Sequence, residues 1–151
     1  MIVRETDLFK GVGPGVMEEI VAICSEESYL KDTVLFKKGE QAECLYILEE
    51  GGVNLVIENG GSLVYTVSEP GQVFGWSSMV ESGIYTASGI CSRDVKAVKI
   101  EREALDKIFN RHPEMGLMVL KRLAGIISQR LSSAYRDLLS ARGQDTTPSY
   151  G

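Results

Sequence analysis

The chain has 151 residues, 44% of them hydrophobic and 25% charged, with a net charge of -5 at pH 7. That length is one domain, able to bury roughly two thirds of its unfolded surface in a single core, and the composition excludes disorder, collagen-like repeats and a disulfide scaffold. Cys24, Cys44 and Cys91 show no C-x-x-C spacing and the chain holds one histidine, so free buried thiols are expected, with neither a zinc site nor a disulfide framework.

Met1 to Lys10 carries Arg4, Glu5 and Asp7 where a signal peptide needs an apolar run, and charges break every later apolar run. A cytoplasmic, non-membrane protein is the expectation. Residues 7–32 read as N-terminal helices, because Val16, Ile20, Val21 and Cys24 recur at helical spacing after the turn Gly11-Val12-Gly13-Pro14-Gly15. Residues 33–100 read as a β-barrel or sandwich. The runs TVLF, CLYILEE, VNLVIE, SLVYTVS, YTASGIC and VKAVKI are rich in β-branched and aromatic residues, and glycine turns separate them. IENGGSLVY reads as a hairpin whose glycines supply positive φ.

Residues 101–142 read as C-terminal helices: a short one over Arg102 to Phe109, then a long one begun at Pro113, since proline fits a first turn and no later one. In the long helix Leu117, Leu120, Ala124, Ile127, Leu131, Ala134 and Leu138 form a heptad seam. The domain itself or a second copy could cover it; its length points to a homodimer. Residues 143–151 read as a polar tail, leaving residues 1–142 as the domain and requiring an unknown downstream protein for output. Between Lys38 and Arg93 there is no Lys or Arg, whereas Lys121, Arg122, Arg130, Arg136 and Arg142 scatter around the long helix. That pattern is a solvated basic face and offers no contiguous footprint for nucleic acid.

FKKGEQAECLYILEEGGVNLVI, residues 36–57, resembles the pattern F-x-x-G-E-x-A-x-x-L-Y-x-I-x-x-G-x-V of cyclic-nucleotide-binding domains, the type in catabolite activator proteins and kinase regulatory subunits. Pro70, Gly71, Phe74 and Gly75 match the approach to that family's phosphate-binding cassette, and NRHPE, residues 110–114, resembles the start of its final helix. The resemblance spans about residues 8–140. It implies a double-stranded β-helix, or jelly-roll, of about eight strands with flanking helices, the last helix serving as lid and dimer contact. It also implies that Glu40 orients its loop.

The family's cassette reads F-G-E-x-A-L, a few residues, then P-R-x-A-S or P-R-x-A-T. Set on it from Phe74 without gaps, this chain has Trp76 at the glutamate and Tyr85 at the arginine, while Ala87 and Ser88 keep the last two positions. The resemblance implies that those two charges would hold the ribose 2'-hydroxyl and the cyclic phosphate. Losing two charge-assisted bonds of about 1.5 to 3 kcal/mol each weakens binding by roughly a hundredfold or more. The cassette is therefore degenerate and standard recognition of cAMP or cGMP is disfavoured.

The candidate ligand site is Phe74, Gly75, Trp76, Ser77, Ser78, Tyr85, Thr86, Ala87 and Ser88, with Arg122 and Arg130 as candidate lid contacts that replace the lost cation. Backbone N–H groups around Ser77, Ser78 and Met79 are expected to add weak anion affinity. Two alternatives stay open: a cyclic nucleotide or other small flat ligand bound in an altered mode, or a ligand-free dimerisation module plugged by Trp76. An ordinary cAMP or cGMP binder and a DNA-binding regulator rank below both. No G-x-S-x-G elbow or metal pattern is present, and His112, the sole imidazole, reads as capping or packing. A non-enzymatic regulatory module is the expectation.

Overall fold

The computed structural model describes residues 2–142. Two 3-10 turns, Ile2–Arg4 and Asp7–Phe9, lead into helix α1, Pro14–Ile23. The strands are β1 Cys24–Tyr29, β2 Val34–Phe36, β3 Cys44–Glu50, β4 Val53–Glu58, β5 Ser62–Val67, β6 Val73–Phe74, β7 Ser88–Cys91 and β8 Val95–Glu101. Helices α2, Arg102–Arg111, and α3, Pro113–Arg142, follow. The strands form two antiparallel four-stranded sheets, ordered β1-β8-β3-β6 and β2-β7-β4-β5, the jelly-roll expected.

The helical reading of residues 7–32 is corrected after Ile23, because Cys24–Tyr29 is a strand. It pairs with β8 along its whole length, Cys24 opposite Ile100 and Tyr29 opposite Val95. The glutamates of this segment favour helix locally, but β8 offers an open edge whose ladder bonds outweigh that preference. The expected hairpin is present: β4 and β5 pair from Val53–Val67 to Glu58–Ser62, and Gly60 takes φ +71° in the turn.

Side chains on β3 and β8 alternate between two cores, as a period of two demands. Leu45, Ile47, Val98 and Ile100 face the helices and pack with Leu8, Ile20, Ile108, Val119 and Leu123. Tyr46, Leu48, Val95 and Ala97 face the barrel interior and pack with Phe36, Val53, Phe74 and Tyr85.

α3 carries two stripes. Gly116, Val119 and Leu123 are buried against the domain, and Gly116 sits so close to Phe109 that a Cβ there would lie 2.9 Å from the Phe109 Cβ. The heptad seam points elsewhere: Leu117, Leu120, Leu131 and Leu138 are 47 to 56% exposed, Ala124 and Ala134 are exposed, and Ile127 alone of the seven is in the set packed on the core. The domain's own barrel does not cover the seam. His112 caps α2, its N–H reaching the Ile108 carbonyl at 3.0 Å. Its Nε2 also lies 2.8 Å from Glu19 of α1, whose other carboxylate oxygen accepts from Arg111.

Candidate functional site

The cassette runs from β6 into a 3-10 turn, Trp76–Met79. Gly75 makes the corner in a left-handed conformation, φ +73°, and a side chain there would press on the Cys44 carbonyl and the Tyr46 ring, each 3.2 Å from the Cβ position. Of the N–H groups expected to point outward, that of Ser78 is committed within the turn. The Ser78 amide bonds the Gly75 carbonyl at 3.3 Å, the Ser78 hydroxyl adds a second bond to it at 3.0 Å, and Ser77 and Ser78 are buried. A four-residue 3-10 turn has little dipole to offer an anion.

The strand-to-strand loop before β3 is stitched to the cassette. Glu40 accepts the Lys37 amide at 2.8 Å through its carboxylate, and its carbonyl accepts the Tyr85 amide at 3.0 Å. The Ser88 hydroxyl accepts the Lys38 amide at 3.0 Å, so Ser88 holds this loop. Tyr85, at the position of the family's arginine, lies in the barrel at 5% exposure, its ring 4.0 Å from that of Phe36 and its hydroxyl donating to the Cys44 carbonyl at 2.8 Å. Burial pushes its pKa up to about 12 against the partial opposition of that hydrogen bond, so the phenol is neutral. Phe36, Tyr46 and Phe74 complete a stacked group.

Arg130 of α3 crosses the mouth. Its guanidinium stands 4.2 Å from the Trp76 ring centroid and 4.8 Å from that of Tyr65, and its Nη2 donates to the Val73 carbonyl at 2.6 Å. Its Nη1 is buried with no acceptor in hydrogen-bonding geometry. Burial lowers the Arg130 pKa, opposed by the charge interaction and the side-chain hydrogen bond with Tyr65, yet a guanidinium stays charged. Beneath it a cavity of about 60 Å³ is lined by Phe36, Leu55, Gly75, Trp76, Ser77, Tyr85, Thr86, Ala87 and Arg130. Arg122 is not among these residues: it lies beside Gly11 and Met118, away from the cassette. The exposed Thr86 and half-buried Ala87 line the cavity, whereas Phe74 is fully buried beneath it.

The profile of the cyclic nucleotide-binding domain matches residues 26–112, more than half of the chain. The chain belongs to this family. A CRP-like cAMP-activated global transcriptional regulator of Mycobacterium tuberculosis is 26% identical over 125 residues, which are 82% of this chain and 56% of the regulator. The catabolite activator protein of Thermus thermophilus superposes with a TM-score of 0.69 at 27% identity, over 89% of this chain and 63% of that one. A cyclic nucleotide-binding domain from Methylobacillus flagellatus shares the fold, with a TM-score of 0.78 and 22% identity over 99% of this chain and 83% of that one. The chain thus spans little more than half the length of the two regulators. No helix of the described residues is long and apolar enough to cross a membrane.

The two positions that the sequence sets against the family pattern's charges, Trp76 and Tyr85, both hold neutral aromatic rings on the wall of the small cavity. Sequence reasoning did not find Tyr65, Leu55 and Phe36 as neighbours of the site. Phe36 and Leu55 carried a signal, since both fall in the residues that carry the family pattern; Tyr65 lies in the hairpin beyond it.

Proposed function

We propose that this domain is a non-enzymatic regulatory module that takes a small, nucleotide-sized or smaller ligand outside the standard cAMP mode and signals through α3. The observation that carries this reading is Arg130: a side chain of the final helix holds the Val73 carbonyl beside the cassette and covers Trp76. Whatever enters beneath that guanidinium alters a contact of α3, so occupancy and helix position are one equilibrium. The outward seam of α3, Leu117 to Leu138, supports a homodimer that passes the signal on.

A second reading rests on the small cavity. A volume of about 60 Å³ is far below the roughly 300 Å³ at which ligand pockets begin, and Trp76 and Tyr85 are among its lining, which favours a ligand-free dimerisation module. Titration of nucleotides and small metabolites against the emission of Trp76, the sole tryptophan, separates the two. A saturable change with any compound supports the sensory module. An unresponsive spectrum, with calorimetry equally silent, supports the plugged one.

A further inference from the structure

We propose that the cassette's ligand is a small organic monoanion bound with its charged group outward against Arg130 and its apolar body inward against Phe36, Leu55 and Ala87. This rests on the reading that the cassette binds a ligand at all, and it reverses the pose that the family pattern implies, in which the negative group meets a cation carried on the cassette itself.

The inner wall sets the body of the ligand. It holds no charge, and the O–H of its one phenol, Tyr85, is already donated in a hydrogen bond to the Cys44 carbonyl. A phosphate or carboxylate pushed inward would lose its hydration and meet no cation. The outer wall sets the head. Arg130 is the one charged residue lining the cavity, its hydrogen bonds go to two neutral groups, the Val73 carbonyl and Tyr65, and its buried Nη1 has no acceptor in hydrogen-bonding geometry, which leaves a donor for an anion. No ion pair links Arg130 to a carboxylate among the described residues. Its planar face is held by Trp76 and Tyr65 and its Nη2 by Val73, so the fork is oriented before any ligand arrives.

Arg130 also divides two spaces. On its far side lies a groove of about 460 Å³, whose wall includes Glu5, Asp7, Glu69, Gln129 and Ser133. An anion on Arg130 therefore adjoins a groove lined by three acidic residues, which disfavours a second negative charge and so restricts the ligand to one.

The test compares acetate with acetamide, which match the cavity of about 60 Å³ and differ in charge, and adds cyclic AMP, each titrated into the full chain by Trp76 emission and calorimetry. Acetate is expected to bind about tenfold or more tighter than acetamide, the difference one charge-assisted contact makes. Arg130→Gln removes the charge and is expected to bring acetate down to the acetamide level, while Arg130→Lys retains part of the preference. Circular dichroism and a cooperative urea transition establish that both variants are folded. Equal binding of acetate and acetamide, or acetate affinity indifferent to Arg130→Gln, overturns the proposal. Binding of cyclic AMP or a neutral compound without acetate overturns it and leaves the ligand-binding reading standing; silence towards every compound overturns both.

Discussion

β3 and β8 each present one face to an aliphatic cluster and the other to an aromatic one, and the two clusters do different work. Beneath the helices, Leu45, Ile47, Val98 and Ile100 meet Ile20, Ile108 and Val119 with no polar atom among their side chains. Inside the barrel, Tyr46 and Tyr85 bring hydroxyls, the rings of Phe36, Phe74 and Tyr85 stack, and a small cavity remains. Aliphatic packing fixes where helices sit because any lost methylene leaves a void. Aromatic packing with polar tips sets a shape and leaves hydrogen-bonding choices open, which is where a ligand site can change its chemistry while the fold stays.

The contrast can be broken by substitution. Ile100→Ala, at a fully buried position of the aliphatic cluster, is expected to cost about 2–5 kcal/mol in urea unfolding followed by Trp76 emission. Tyr85→Phe keeps the ring and deprives the Cys44 carbonyl of its donor, for a smaller loss of about 1–3 kcal/mol. Equal losses would mean that the aromatic group is as rigidly determined as the aliphatic one.

The same phenol sharpens the comparison at alkaline pH. Its folded pKa is raised from the ordinary value near 10 to about 12, so its contribution is intact below pH 10 and fades as pH rises towards 12. Tyr85→Phe should remove that part of the alkaline decline. Smaller again is the clasp at the α2–α3 junction. The Arg111 hydrogen bond, with help from His112 and against some desolvation, holds the Glu19 carboxyl below its usual range. The stability gap between wild type and Glu19→Gln should be fully open above the ordinary carboxylate pKa and close as pH falls through the depressed one, seen in thermal melts across pH. The smallest effect on monomer stability, within about 0.5 kcal/mol, is expected for Leu131→Ser on the exposed seam. Light scattering should nonetheless show loss of self-association if that seam joins two copies.

Legibility in the sequence follows the range of the forces involved. β3, β4, β5 and their hairpin were readable because β-branched runs and an Asn59-Gly60-Gly61 turn are local signals. β1 was not, since Ser25, Glu26, Glu27 and Ser28 give no strand pattern until β8 lies beside them. At the site, the placing of Trp76 and Tyr85 came from the resemblance to the family's cassette pattern, set from Phe74 without gaps. Arg130 could not be told from Arg122 without knowing how α3 is rotated. Eight residues at about 100° per residue set the two roughly 80° apart on the helix, so one reaches the cassette and the other faces Gly11.

The contact of Gly116 with Phe109 makes a fulcrum. From Gly116 to Leu138 the helix extends for about 33 Å at its ordinary rise. A tilt of about 5° there carries the far end through roughly 3 Å, while α2 stays seated on the core through Leu105 and Ile108. Even the added methyl of Gly116→Ala would wedge the two helices apart, and the distal half of the long arm would register it most.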